Sequence, residues 1–255
     1  MSVISFEIFA IIILFLMAFI AGLLPSSIMK RHQNALALGD AWAGGIFLGA
    51  ALFHMLPDAN KILSSAFPGS DYPFASLFCI LGFLLLLMTE RTVIQLTDSN
   101  HKNNSYITGI LLLIILSIHS IIEGTAIGIN VTLAAIIPIT IAVLAHKGSA
   151  SFALAMNLHR SQLQTKTITF MIFIFSLMTP LGIILSNIIL IFSKQHSSLI
   201  MEGIFNAFAA GSFLYIGMRH MLEEHFAEYK HTNPLKEFIA IISGIFLMAV
   251  IAIWT

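Results

Sequence analysis

Three residues in the apolar middle of this chain carry ligand atoms at spacings that suit a divalent cation: His119 and Glu123 in HSIIEGTAIG (119–128), and His146 in LAHKGSAS (144–151). A spacing of i, i+4 puts His119 and Glu123 on one face of a helix. Neutral imidazole and ionised carboxylate are suitable ligands for a first-row divalent metal such as zinc. The metal's charge would in turn offset the cost of keeping Glu123 ionised in a membrane. A charged side chain at the bilayer centre costs at least about 2.5 kcal/mol, so an intramembrane acid between histidines reads as functional. The plainer alternative is that His119 and Glu123 only hydrogen-bond each other. Two further pairs repeat the pattern, His54 with Asp58 and His220 with Glu224. One could collect a cation and the other release it; as helix-end polar residues at an interface they would do neither.

The elements that must position these residues follow from composition. The 255 residues are 58% hydrophobic and 9% charged, against about a quarter charged in soluble domains, so this is a membrane protein. Lys+Arg and Asp+Glu balance at 12 each, which leaves no basic field for nucleic acid. The single cysteine, Cys79, excludes an internal disulfide. The first apolar run lacks the basic start and cleavage site of a signal peptide and reads as a spanning helix. Eight spans are expected, at 4–24, 39–58, 73–95, 107–130, 133–158, 167–193, 200–222 and 235–254. All are helical, because backbone polar groups in lipid must be satisfied internally. The expectation is an all-α polytopic fold forming one transmembrane domain over 1–255.

The fourth and fifth spans are joined by little more than NVT, which forces an antiparallel hairpin and lets His146 meet His119 and Glu123 at one depth. Lys30, Arg31, Arg91, Lys102, Arg160, Lys166, Arg219, Lys230 and Lys236 fall on one side of the membrane, and only Lys61 and Lys194 on the other. The positive-inside rule puts the first group in the cytoplasm and both termini outside. AGGIFLGAALFHMLPDA (43–59) matches AAGSFLYIGMRHMLEEH (209–225) at a constant offset of 166 residues. The matched segments lie in the second and seventh spans, which cross in opposite senses. The expected architecture is therefore an inverted repeat, spans 1–3 and 6–8, around a central hairpin of spans 4–5. His54 and Asp58 would then stand near the outer face, and His220 and Glu224 near the inner one.

HSIIEG in the fourth span, HK at 146–147 in the fifth, eight spans and outside termini together resemble the ZIP (Zrt/Irt-like) family of divalent metal transporters. HMLPDA (54–59) and AAGSFLY (209–215) resemble its second- and seventh-span patterns. The resemblance implies uptake of Zn²⁺, with Fe²⁺, Mn²⁺ or Cd²⁺ as further candidates, across the cell membrane into the cytoplasm. It matches His119, Glu123 and His146 to the family's metal ligands and Ser120 to a second-site position. Lys147 and Ala150 stand where binuclear members carry acids, which favours a single ion with the Lys147 ammonium in place of a second. Pairing of Lys147 with Glu123 or another carboxylate is the alternative. The loop after the third span holds His101 as its sole histidine, whereas His220, Glu223, Glu224, His225, Glu228 and His231 at and after the end of the seventh span are candidates for handing metal to the cytosol, with an ordinary solvated face as the alternative. The partners implied are the metal ion and the lipid bilayer, with a homodimer left open.

The expected function is alternating access: entry past His54 and Asp58, binding at His119, Glu123 and His146, exit past His220 and Glu224. The chief rival is an intramembrane zinc hydrolase of lipid amides or esters, which would need an open coordination position for water. The three catalytic histidines with a Ser/Asp at span ends that such an enzyme would carry are not found in the sequence.

Overall fold

Hydrocarbon offers a peptide group no hydrogen-bond partner, and the described chain satisfies its backbone within helices, with no strand. The computed structural model describes residues 2–28, 33–96, 101–129, 132–160, 163–192, 195–222 and 233–254. The elements are α1 (Val3–Ile28), α2 (Gln33–Ala50), a π-helical turn (Ala51–Met55), α3 (Leu56–Ala66), α4 (Phe74–Leu96), α5 (His101–Ile129), α6 (Leu133–Arg160), α7 (Thr165–Phe192), α8 (Gln195–Leu222) and α9 (Pro234–Ile251). Among the described residues seven segments are long and apolar enough to cross a membrane. An eighth, Phe74–Thr89 within α4, is apolar but shorter.

The second span is longer than the expected 39–58. It runs over Ala35–Ala66 as one helical unit with a π turn in its middle. Pro57 supplies the reason: it has no N–H to donate, and its ring would clash with the carbonyl of Phe53 in a regular α-helix. The chain widens just before it, and the Leu56 N–H reaches back five residues to the Ala51 carbonyl. His54 lies inside that widened turn.

The helices pack as two groups, α1 with α5, α6 and α7, and α2 with α3, α4, α8 and α9. Lipid gives apolar side chains no reason to leave it, so close packing of small residues must join such helices. In the first group a Cβ on Gly124 would strike the Thr179 carbonyl, and one on Gly182 the Ile121 carbonyl. In the second, Gly45 rides on the Ile241 carbonyl and Gly211 on that of Cys79, with Gly244 and Gly82 returning the contact onto Trp42 and Phe208. The groups meet where α6 crosses α2 and α5 crosses α8. Apolar side chains facing away from these contacts stay uncovered, including Ile8, Ile12 and Ile20 on α1 and Phe238, Ile242 and Phe246 on α9. That inversion of a soluble surface suits a surround of acyl chains.

Candidate metal centre

One turn of α5 separates His119 from Glu123, and the connection after Ile129 is short enough to fold α6 back against α5. His146 thereby reaches the same point from the opposite wall. Glu123 Oε1 lies 2.7 Å from His119 Nε2 and 2.5 Å from His146 Nε2. One ligand atom from each residue falls within 4.8 Å of the others, and all three residues are buried. Four-coordinate zinc holds nitrogen and oxygen at about 2.0–2.2 Å, so its ligands stand about 3.4 Å apart. A shift of under about 1.5 Å would open these contacts to that spacing. Glu123 Oε2 and Nδ1 of both histidines are buried without a hydrogen-bond partner among the described residues. Each such atom carries a cost of about 1–3 kcal/mol, and a cation drawn onto this cluster offsets part of it.

The neighbours close the cluster on one side and open it on the other. The Phe213 ring of α8 packs edge-on to His119 at 4.8 Å between centroids, and lies 5.8 Å from His146. On its other flank Phe213 packs at 4.8 Å against Phe47 of α2. The His54 ring is 6.3 Å from that of His146, and its Nδ1 lies 3.1 Å from Asp58 Oδ2. A cavity of about 460 Å³ runs from Lys61 and Ser65 on α3, past Asp58 and His54, to His119 and Glu123. His119 and Glu123 therefore share one water-sized path with the His54/Asp58 pair, and His146 lies behind them.

Lys147 and Ser120 pair with each other. Lys147 Nζ donates to Ser120 Oγ at 2.5 Å and lies 4.0 Å above the Phe175 ring. The Lys147 side chain is 1% exposed, so this ammonium is held by a hydroxyl and an aromatic face while the Glu123 Oε1 oxygen faces the two histidines. His220 closes α8, and its side chain lies outside the described residues, as do Glu223, Glu224, His225, Glu228 and His231. Two residues that sequence reasoning passed over, Glu202 and Asn206 of α8, line the cavity. A signal was available: they sit at i, i+4, and Glu202 is the one charged residue between 200 and 218.

The sequence profile of the family described as ZIP Zinc transporter matches residues 4–106 and 95–252, nearly the whole chain. The chain belongs to the ZIP zinc transporter family. This ZIP chain is 29% identical to Zinc transporter 11 of Arabidopsis thaliana, over 99% of its own length and 86% of that protein's. It is 27% identical to Zinc transporter ZIP2 of Mus musculus, over 88% of the chain and 87% of the relative. For Zinc transporter ZIP1 of Danio rerio the identity is 25%, over 86% and 85%. ZIP members are transporters, and an integral multi-pass metal transporter, not an intramembrane hydrolase, is the class to which the sequence and its spanning helices belong.

Proposed function

We propose that this ZIP chain carries divalent cations, zinc foremost, into the cytoplasm, binding one ion at a time on His119, Glu123 and His146. The observation that carries the reading is the convergence of three ligand atoms within 4.8 Å, two of whose residues, His119 and Glu123, line a cavity. Zinc is favoured over Fe²⁺, Mn²⁺ or Cd²⁺ by the zinc transporters among the relatives; the two-imidazole, one-carboxylate donor set suits zinc and iron alike. His54, Asp58 and Glu202 form the approach, where negative charge concentrates a cation before it reaches the seat. Lys147 stands in for a second cation: its charge is fixed beside the seat by Ser120 and Phe175, which argues for a mononuclear site. The excess of Lys and Arg in alternate loops supports an orientation with the cavity mouth and both termini outside, which suits uptake into the cytoplasm.

Alternating access follows from the grouping of helices. The three ligands belong to α5 and α6, while Phe213 and His54, which close over them, belong to the other group. Movement of one group against the other would take the seat from one face to the other without dismantling it. An inverted repeat supports two such states of similar energy. The offset of 166 that relates 43–59 to 209–225 carries Gly45 to Gly211 and Trp42 to Phe208, and one common offset carries Cys79 to Ile241 and Gly82 to Gly244. The contacts obey the same exchange: Gly45 on Ile241 pairs with Gly211 on Cys79, and Gly244 on Trp42 with Gly82 on Phe208. Phe47 and Phe213, related by the offset, touch each other, as residues beside a two-fold axis must.

The deciding experiment is zinc flux into proteoliposomes. Glu123→Ala should abolish saturable uptake, and flux at the wild-type rate would remove the seat from the mechanism.

A further inference from the structure

Asp40 is a carboxylate that the transport path described so far does not use. It lies in α2 within the spanning segment Ala35–Ala66, 6% exposed, where an acid is costly to keep. The same offset of 166 that pairs Phe47 with Phe213 pairs Asp40 with Asn206. Asn206 lines the cavity above the seat. Seven residues, two helical turns, separate Asp40 from Phe47 and Asn206 from Phe213, so each polar residue shares a helix face with its phenylalanine. At 1.5 Å per residue each stands about 10 Å from the Phe47/Phe213 contact. α2 and α8 run antiparallel, since Gly217 packs on Gly44 and Leu48, whereas Gly203 packs on Leu63. The two polar residues therefore lie on opposite sides of the level of the seat.

We propose that Asp40 lines the release path on the far side of the seat and holds the departing divalent cation there, as the counterpart of Asn206 on the entry path. The exchange of helix groups that closes the cavity over Asn206 opens an equivalent space beside α2, and Asp40 faces it. At this matched position the far side carries a carboxylate and the near side a neutral amide, so Asp40 holds a cation that has left the histidines, as Asp58 and Glu202 hold one before it reaches them. The inference rests on the alternating-access reading above and adds a residue to it.

The test uses the full chain in proteoliposomes with Cys79 replaced by Ala, so that single cysteines can be placed. Asn206→Cys should react with a membrane-impermeant maleimide from one face only, and Asp40→Cys from the opposite face only. Asp40→Cys unreactive from both faces, or reactive from the face that labels Asn206→Cys, would overturn the proposal. Because a cysteine at a buried position can misfold, zinc flux through Asp40→Asn and Asp40→Glu is measured beside it. Asp40→Asn should lose several-fold in turnover with the zinc Kd of the seat unchanged, and Asp40→Glu should restore most of it. Wild-type turnover in Asp40→Asn would refute the carboxylate's role. Absence of saturable zinc flux in the wild type would instead sink the transport reading, a separate outcome.

Discussion

Replacing Glu123 by Gln separates a metal seat from an ordinary buried hydrogen-bond cluster. Gln keeps the volume and one acceptor oxygen, and removes the anion that lies 2.7 Å from His119 Nε2 and 2.5 Å from His146 Nε2. In metal-free protein two effects oppose each other. Taking an ionised carboxylate out of the bilayer centre relieves at least about 2.5 kcal/mol. Turning the charge-assisted hydrogen bond to His146 and the ion contact with His119 into neutral ones costs about 1 kcal/mol each. The difference is about 1 kcal/mol or less, so the unfolding midpoint in detergent should barely move. In zinc-loaded protein nothing offsets the loss. Removing groups that only support a ligand weakens binding about 10–100-fold, so removing a directly bound carboxylate should weaken it by at least about 100-fold. That corresponds to about 2.8 kcal/mol. The assay is zinc Kd by chelator competition in detergent, paired with flux in proteoliposomes and thermal unfolding on the same preparation. A Gln variant that unfolds several kcal/mol more easily yet binds zinc with unchanged Kd would refute the reasoning, because Glu123 would then be a structural partner of the histidines.

Zinc affinity should fall as pH drops from about 8 to about 5.5, since imidazole must be neutral to ligate and ordinarily titrates near 6.5. Binding then releases protons, and a Kd flat across that range would show that no ligand histidine takes up a proton in it. Lys147→Met should leave one zinc per chain and tighten binding several-fold, because the ammonium fixed by Ser120 and Phe175 no longer repels the ion. Zinc titration by calorimetry checks both stoichiometry and affinity, and weaker binding would mean that Lys147 mainly positions the seat. Gly211→Ala should destabilise the fold by about 1–3 kcal/mol in detergent unfolding, since its methyl would meet the Cys79 carbonyl, which cannot rotate away. A fully stable Ala variant would show that α4 and α8 are held some other way.

The sequence by itself determined the all-helical fold and the central trio. Apolar runs of spanning length leave only helices in lipid, and the i, i+4 spacing of His119 and Glu123 fixes their shared face. A connection of a few residues then forces the fifth span, with His146, alongside the fourth. These are local constraints, and they are legible because each involves one helix or one short loop. Tertiary structure decided what depends on which helices meet. Glu202 and Asn206 join His54 on one cavity only because α8 packs across α3 and the π turn before Pro57. Lys147 faces Ser120 and Phe175, and Phe213 covers the two histidines, through contacts between segments far apart in the chain. Hydropathy treats every lipid-compatible helix face alike, so it cannot say which faces pair. Small residues meeting backbone carbonyls made that choice, as Gly45 did on Ile241 and Gly211 on Cys79.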